Sequence, residues 1–110
     1  MALQTLQQID QSKAEAFAQG MLGILNSSAI ALMTSIGHRT GLFDTLAQLP
    51  ASTSQQIVEA AGLNERYVRE WLGAMVTGGI VEYDPSDRTY LLPPEHALFL
   101  TRSADINMAA

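Results

Sequence analysis

The sequence predicts a mainly α-helical winged helix-turn-helix domain, and three features carry that expectation. Two helical segments flank the tight turn Ala61-Gly62-Leu63-Asn64. Two short runs of β-formers, Ile80–Asp84 and Thr89–Leu92, follow Gly78-Gly79 directly. A block of apolar helical sequence stands ahead of both. A two-stranded hairpin placed immediately after a helix-turn-helix is a wing.

Each element has local reasons. Ser12 and Glu15 have the spacing of a capping box and are expected to open the first helix, with Ala14, Phe17, Ala18, Met21 and Leu25 on one face. Leu22 and Ile24 widen that face. Asn26-Ser27-Ser28 reads as a break and cap, so a second helix is expected to carry Ala29, Ile30, Leu32, Met33 and Ile36, buried on more than one side. After Gly41 a short helix packs Leu42, Phe43, Leu46 and Leu49 and stops at Pro50, because proline disfavours helix at the residue before it.

Thr53 and Gln56 form a further capping box for a helix over 54–61 that turns Ile57, Val58 and Ala61 inward. Gly62 suits a left-handed stop, Leu63 fills the angle between helices, and Asn64 caps a helix from Glu65 to Val76. Val68, Trp71, Leu72, Met75 and Val76 are its inward positions. Pro85-Ser86-Asp87-Arg88 has turn composition, and Pro93-Pro94 closes the last strand. Glu95–Thr101 is expected to be a final helix packing Ala97, Leu98 and Leu100.

A length of 110 residues predicts a single domain over 1–110. Its helical dimerisation part covers about 10–50, the helix-turn-helix and wing about 51–93, and the C-terminal helix about 94–101. The end, Ile106-Asn107-Met108-Ala109-Ala110, is apolar without a stop signal and reads as a cut inside a longer chain. No cysteine is present, which excludes disulfides and thiolate metal sites. With no signal-peptide pattern over Met1–Asp10, a cytoplasmic location is expected. From Ala16 to Gly37 nothing is charged, a run about long enough to span a bilayer. Gln19, Asn26, Ser27 and Ser28 interrupt it and Gly20 and Gly23 dilute it, so buried helices are expected rather than a membrane span.

The charges weigh against nucleic acid. Net charge is −5 and the sequence pI is near 4.7. A duplex reader needs several cations aimed at phosphates. Arg66, Arg69 and Arg88 are the only plausible contacts in such a reading, and Arg66–Glu70 and Glu65–Arg69 are i,i+4 pairs that would neutralise two of them. From Gly62 to Leu92 acidic residues outnumber basic ones by five to three, so the wing would repel phosphates.

No catalytic, cofactor-binding or metal-binding residue is assigned. His38 and His96 lack a partner ligand at zinc-like spacing and read as a helix C-terminal residue and a surface or packing residue. Phosphate-cradling glycine loops and a nucleophile elbow are absent. Phe17, Met21, Leu25, Ile30 and Met33 stand out instead. They belong to a wide apolar surface that a chain this short cannot cover, and a two-fold interface with a second copy is the simplest cover.

Three segments resemble a family: Gly37-His38-Arg39-Thr40-Gly41-Leu42-Phe43-Asp44, the run Ala61-Gly62-Leu63-Asn64-Glu65-Arg66-Tyr67-Val68-Arg69-Glu70-Trp71-Leu72, and Tyr90-Leu91-Leu92-Pro93-Pro94-Glu95-His96-Ala97. They look like the N-terminal winged-helix region of bacterial class I S-adenosylmethionine-dependent methyltransferases, from about Ala29 onward. The resemblance implies a dimerisation and substrate-cap domain of a small-molecule methyltransferase, not catalytic alone. It implies a homodimer, and S-adenosylmethionine held by a C-terminal methyltransferase domain further along the parent chain. No site residue carries over, because the donor-binding glycine loop is not among these residues. The competing expectation is a winged-helix transcription regulator.

Overall fold

The computed structural model describes residues 8–110. Its elements are α1 (Gln11–Thr40), α2 (Leu42–Ala47), β1 (Ser52–Thr53), α3 (Ser54–Ala61), α4 (Glu65–Thr77), β2 (Glu82–Asp84), β3 (Thr89–Leu91) and α5 (Pro94–Ala97). The strands form one antiparallel sheet in the order β1-β3-β2. This is the winged helix-turn-helix that the sequence predicts.

The junctions explain themselves chemically. Thr53 Oγ1 accepts from the Gln56 amide at 3.2 Å while Gln56 Oε1 accepts from the Thr53 amide at 2.9 Å, a complete capping box for α3. Gly62, at φ 67°, ends α3 in the left-handed region, and Asn64 Oδ1 accepts from the amides of Arg66 and Tyr67 to open α4. Ile57, Val68, Trp71, Leu72 and Met75 then meet Leu42, Phe43 and Leu46 of α2 in one core, with Val81 and Leu92 closing it from the sheet side. Burial of such a side chain is worth roughly 1.5–3 kcal/mol. In the wing Tyr83 lies opposite Tyr90, their ring centroids 4.7 Å apart.

Four expectations need correction. The first two expected helices are one, since α1 runs unbroken through Asn26-Ser27-Ser28. These three side chains are exposed and do not divert the backbone. The helix opens not at Ser12 but on Asp10, whose Oδ1 accepts from the Lys13 amide at 3.1 Å. The segment that follows Ser28 is not buried on several sides either: Ala29 is exposed, and Leu32 is 67% exposed.

The final helix stops at Ala97 instead of Thr101, and Leu98 is 66% exposed. Beyond it the chain turns back towards α1. Arg102 Nη2 donates to the carbonyls of His38 and Arg39 at 2.8 and 3.2 Å, adding a side-chain donor to the last turn of α1, where the His38 carbonyl also accepts from the Gly41 amide. Asp44 anchors the same residue through its backbone amide at 2.9 Å and Nε at 3.5 Å.

Candidate functional site

The long helix has two different halves. Its C-terminal third is bound to the rest of the molecule at three points. Ile30 packs so closely on Gly78 that a Cβ there would lie 2.9 Å from Ile30 Cγ2. One turn on, the Met33 carbonyl accepts from the indole Nε1 of Trp71 at 2.8 Å. Gly37, the only buried residue of the helix, leaves room for Phe43 and Trp71, whose rings would each stand 2.6 Å from a Cβ.

From Gln11 to Ala29 the opposite holds, and every residue is exposed. Phe17 is 71%, Leu22 53%, Ile24 61% and Leu25 56% accessible. Nineteen helical residues at about 1.5 Å each make an apolar arm roughly 28 Å long. The arm accounts for much of the molecule's 61 Å longest dimension. By length and composition α1 could cross a membrane, although its last turns are fastened to α2 and α4.

Of the five residues expected on an interface, Phe17, Met21 and Leu25 lie on the arm at i,i+4 spacing. Ile30 and Met33 are partly buried against the chain's own core. Met33 reappears at the edge of a cavity of about 310 Å³ between α1 and the start of α4. Ile36, Leu42, Leu63, Tyr67 and Trp71 supply most of its apolar wall. No local sequence pattern marks this slot, because it exists only where α1 crosses α4.

The exposed face of α4 is neutralised as expected. Arg66 Nε lies 3.3 Å from Glu70 Oε1, and Arg69 Nη1 lies 3.2 Å from Glu65 Oε1. Arg88 sits in the wing turn with a φ of 56°. Neighbouring Asp84 accepts from the Ser86 hydroxyl and amide, which lowers its pKa below the ordinary 3.8.

The imidazoles are structural in their contacts. His96 Nδ1 donates to the Ile80 carbonyl at 2.7 Å, and His38 Nδ1 accepts from Asn107 Nδ2 at 3.2 Å. Among the described residues no group of three or more His, Cys, Asp or Glu could hold a metal ion. A second, wider cleft of about 700 Å³ lies between α2 and the C-terminal segment, bordered by Leu49, Leu92, Leu98, Phe99 and Ile106.

The family model for the Rv2258c-like winged HTH domain matches residues 28–102. The chain belongs to that family. The matched residues take in the bound third of α1, the helix-turn-helix and the wing, so the family domain begins where the free arm ends. No curated protein matches the chain.

Solved structures share the family domain's fold. The mitomycin 7-O-methyltransferase MmcR superposes with a TM-score of 0.70 at 21% identity, covering 83% of this chain and 26% of that one. PigF with SAH gives 0.60 at 20% identity, covering 87% and 26%. LepI in complex with SAM gives 0.62 at 19% identity, covering 89% and 23%. This chain thus spans about a quarter of the length of the solved proteins it matches.

Proposed function

We propose that this chain is the dimerisation and substrate-cap domain of a SAM-dependent small-molecule methyltransferase, and that it is not catalytic alone. The observation that carries this reading is the arm: nineteen consecutive exposed helical residues, rich in large apolar side chains, joined to a packed winged helix. Exposed apolar surface of that extent marks an interaction site. A second copy is the partner that every solution of this chain contains.

The neighbours supply the rest of the reading. One is named as an O-methyltransferase and two hold SAM or SAH, and in each this fold is about a quarter of the protein. S-adenosylmethionine then belongs to a following domain, whose acceptor site this domain roofs. The transcription-regulator reading is disfavoured by the two arginines on α4 that already have carboxylate partners. Reading the coding frame beyond codon 110 tests the proposal. A continuation into roughly 200–250 further residues whose product binds SAM is expected. A stop codon directly after Ala110 would sink it.

A further inference from the structure

We infer that the slot between α1 and the start of α4 binds an uncharged, planar aromatic molecule of two fused rings with a hydroxyl at one edge. All of its walls belong to this domain, so binding here requires no methyltransferase domain. The cavity of about 310 Å³ lies at the lower end of the roughly 300–1,000 Å³ of small-molecule pockets. An apolar protein cavity of roughly 150 Å³ takes up one benzene ring, so this slot has the size for two rings and is too small for a helix. Trp71, Val68 and Leu42 form its floor, each almost wholly buried. Tyr67, at the mouth, is 71% exposed and pairs with no other ring among the described residues. A fixed apolar floor beside an unpaired ring suits a flat π-face, which can stack on Tyr67 as a puckered ring cannot. Met33 lines the same space, and its thioether adapts in shape and favours aromatic contacts.

The lining selects against charge. No Lys, Arg or His borders the slot, and its one carboxylate, Glu70, already accepts from Arg66 Nε at 3.3 Å. An anion would find no counter-charge there, and a cation would have to displace Arg66. What the rim still offers is neutral hydrogen bonding. Asn64 Oδ1 is taken by the amides of Arg66 and Tyr67, which leaves Nδ2 as a donor. Thr40 gives its hydroxyl proton to the Ile36 carbonyl at 2.8 Å and keeps acceptor capacity. A rim with one donor and one acceptor suits a hydroxyl, which can serve either.

Trp71 is the chain's single tryptophan, so its indole N–H gives one signal in a proton–nitrogen correlation spectrum. On titration with 2-naphthol that signal and the amides of Leu63 and Tyr67 should shift together and saturate at sub-millimolar concentration. Decahydro-2-naphthol and naphthalene-2-sulfonate should each bind at least roughly fivefold more weakly, the first for lack of a π-face and the second for its charge. Tyr67→Ala, at an exposed position, should keep the circular dichroism spectrum and weaken 2-naphthol roughly fivefold to tenfold. Equal affinity for the saturated alcohol or the sulfonate would overturn the ligand class. An unmoved indole signal, or unsaturated shifts confined to the exposed arm around Phe17 and Leu25, would overturn the site itself. Neither result touches the coding-frame test of the methyltransferase reading.

Discussion

The indole nitrogen of Trp71 donates to the carbonyl of Met33 across 2.8 Å, tying the second helix of the helix-turn-helix to the long N-terminal helix. The bond is possible because Gly37, one turn further on, has no side chain to hold the ring away. Trp71 in turn meets Phe43 edge-on, with centroids 5.1 Å apart. Three elements are therefore joined through one side chain.

Truncation at this junction should be costly. Leu72→Ala is expected to lower stability by about 2–5 kcal/mol, the range for a fully buried leucine. Trp71→Phe retains much of the apolar contact but loses the bond to Met33, and about 1–3 kcal/mol is expected. Urea denaturation followed by circular dichroism measures both. Unchanged midpoints would mean that the inward face of α4 is misassigned.

Two glycines should respond in opposite directions to the same replacement. Alanine is the better helix former by roughly 1 kcal/mol. At Gly73, where nothing lies within 4 Å of a Cβ, Gly73→Ala should raise the melting temperature. At Gly37 the added methyl would meet two rings at 2.6 Å, so Gly37→Ala should lower it despite the same propensity gain. A common sign for the two shifts would count against the close approach of α1 to Trp71.

Most junctions were legible because they are local. Thr53 with Gln56, Gly62 and Asn64 each act within three or four residues, and each does in the structure what its spacing predicts. What escaped the sequence depends on distant partners. The two-residue strand Ser52–Thr53 exists because Thr89 and Tyr90 pair with it. The tail after Ala97 is held by Asp44 and by the end of α1, some sixty residues away. Asn26-Ser27-Ser28 misled for another reason. Such residues can end a helix but do not force an end, and here they lie on its open surface. Periodicity alone also does not separate Ile30 and Met33, which are partly buried against the chain's own core, from Phe17, Met21 and Leu25, which are exposed.

Alkaline titration reports on the wing. Burial, with the neighbouring Tyr83 second, pushes the Tyr90 phenol above its ordinary value of 10.0. Its neutral form is favoured by folding, so that contribution is complete below pH 10 and is lost as pH rises through the folded value. A late-ionising fraction of the phenolate absorbance should therefore be present in the wild type and absent in Tyr90→Phe. Identical titration curves would place Tyr90 in open solvent.

Duplex DNA should bind weakly and without dependence on the α4 arginines. An Arg66→Ala, Arg69→Ala double variant is expected to match the wild type in fluorescence anisotropy with duplex DNA at low salt. Salt-sensitive binding lost in the double variant would favour the regulator reading.

The mass of the chain in solution tests the central claim most directly. Sedimentation equilibrium at micromolar concentration should give twice the 11.9 kDa of one chain. The Phe17→Asp, Leu25→Asp variant, altered only on the exposed arm, should return a single chain mass with unchanged circular dichroism. A wild-type mass of one chain throughout that range would contradict the account, because the apolar arm would then have no partner among copies of this domain.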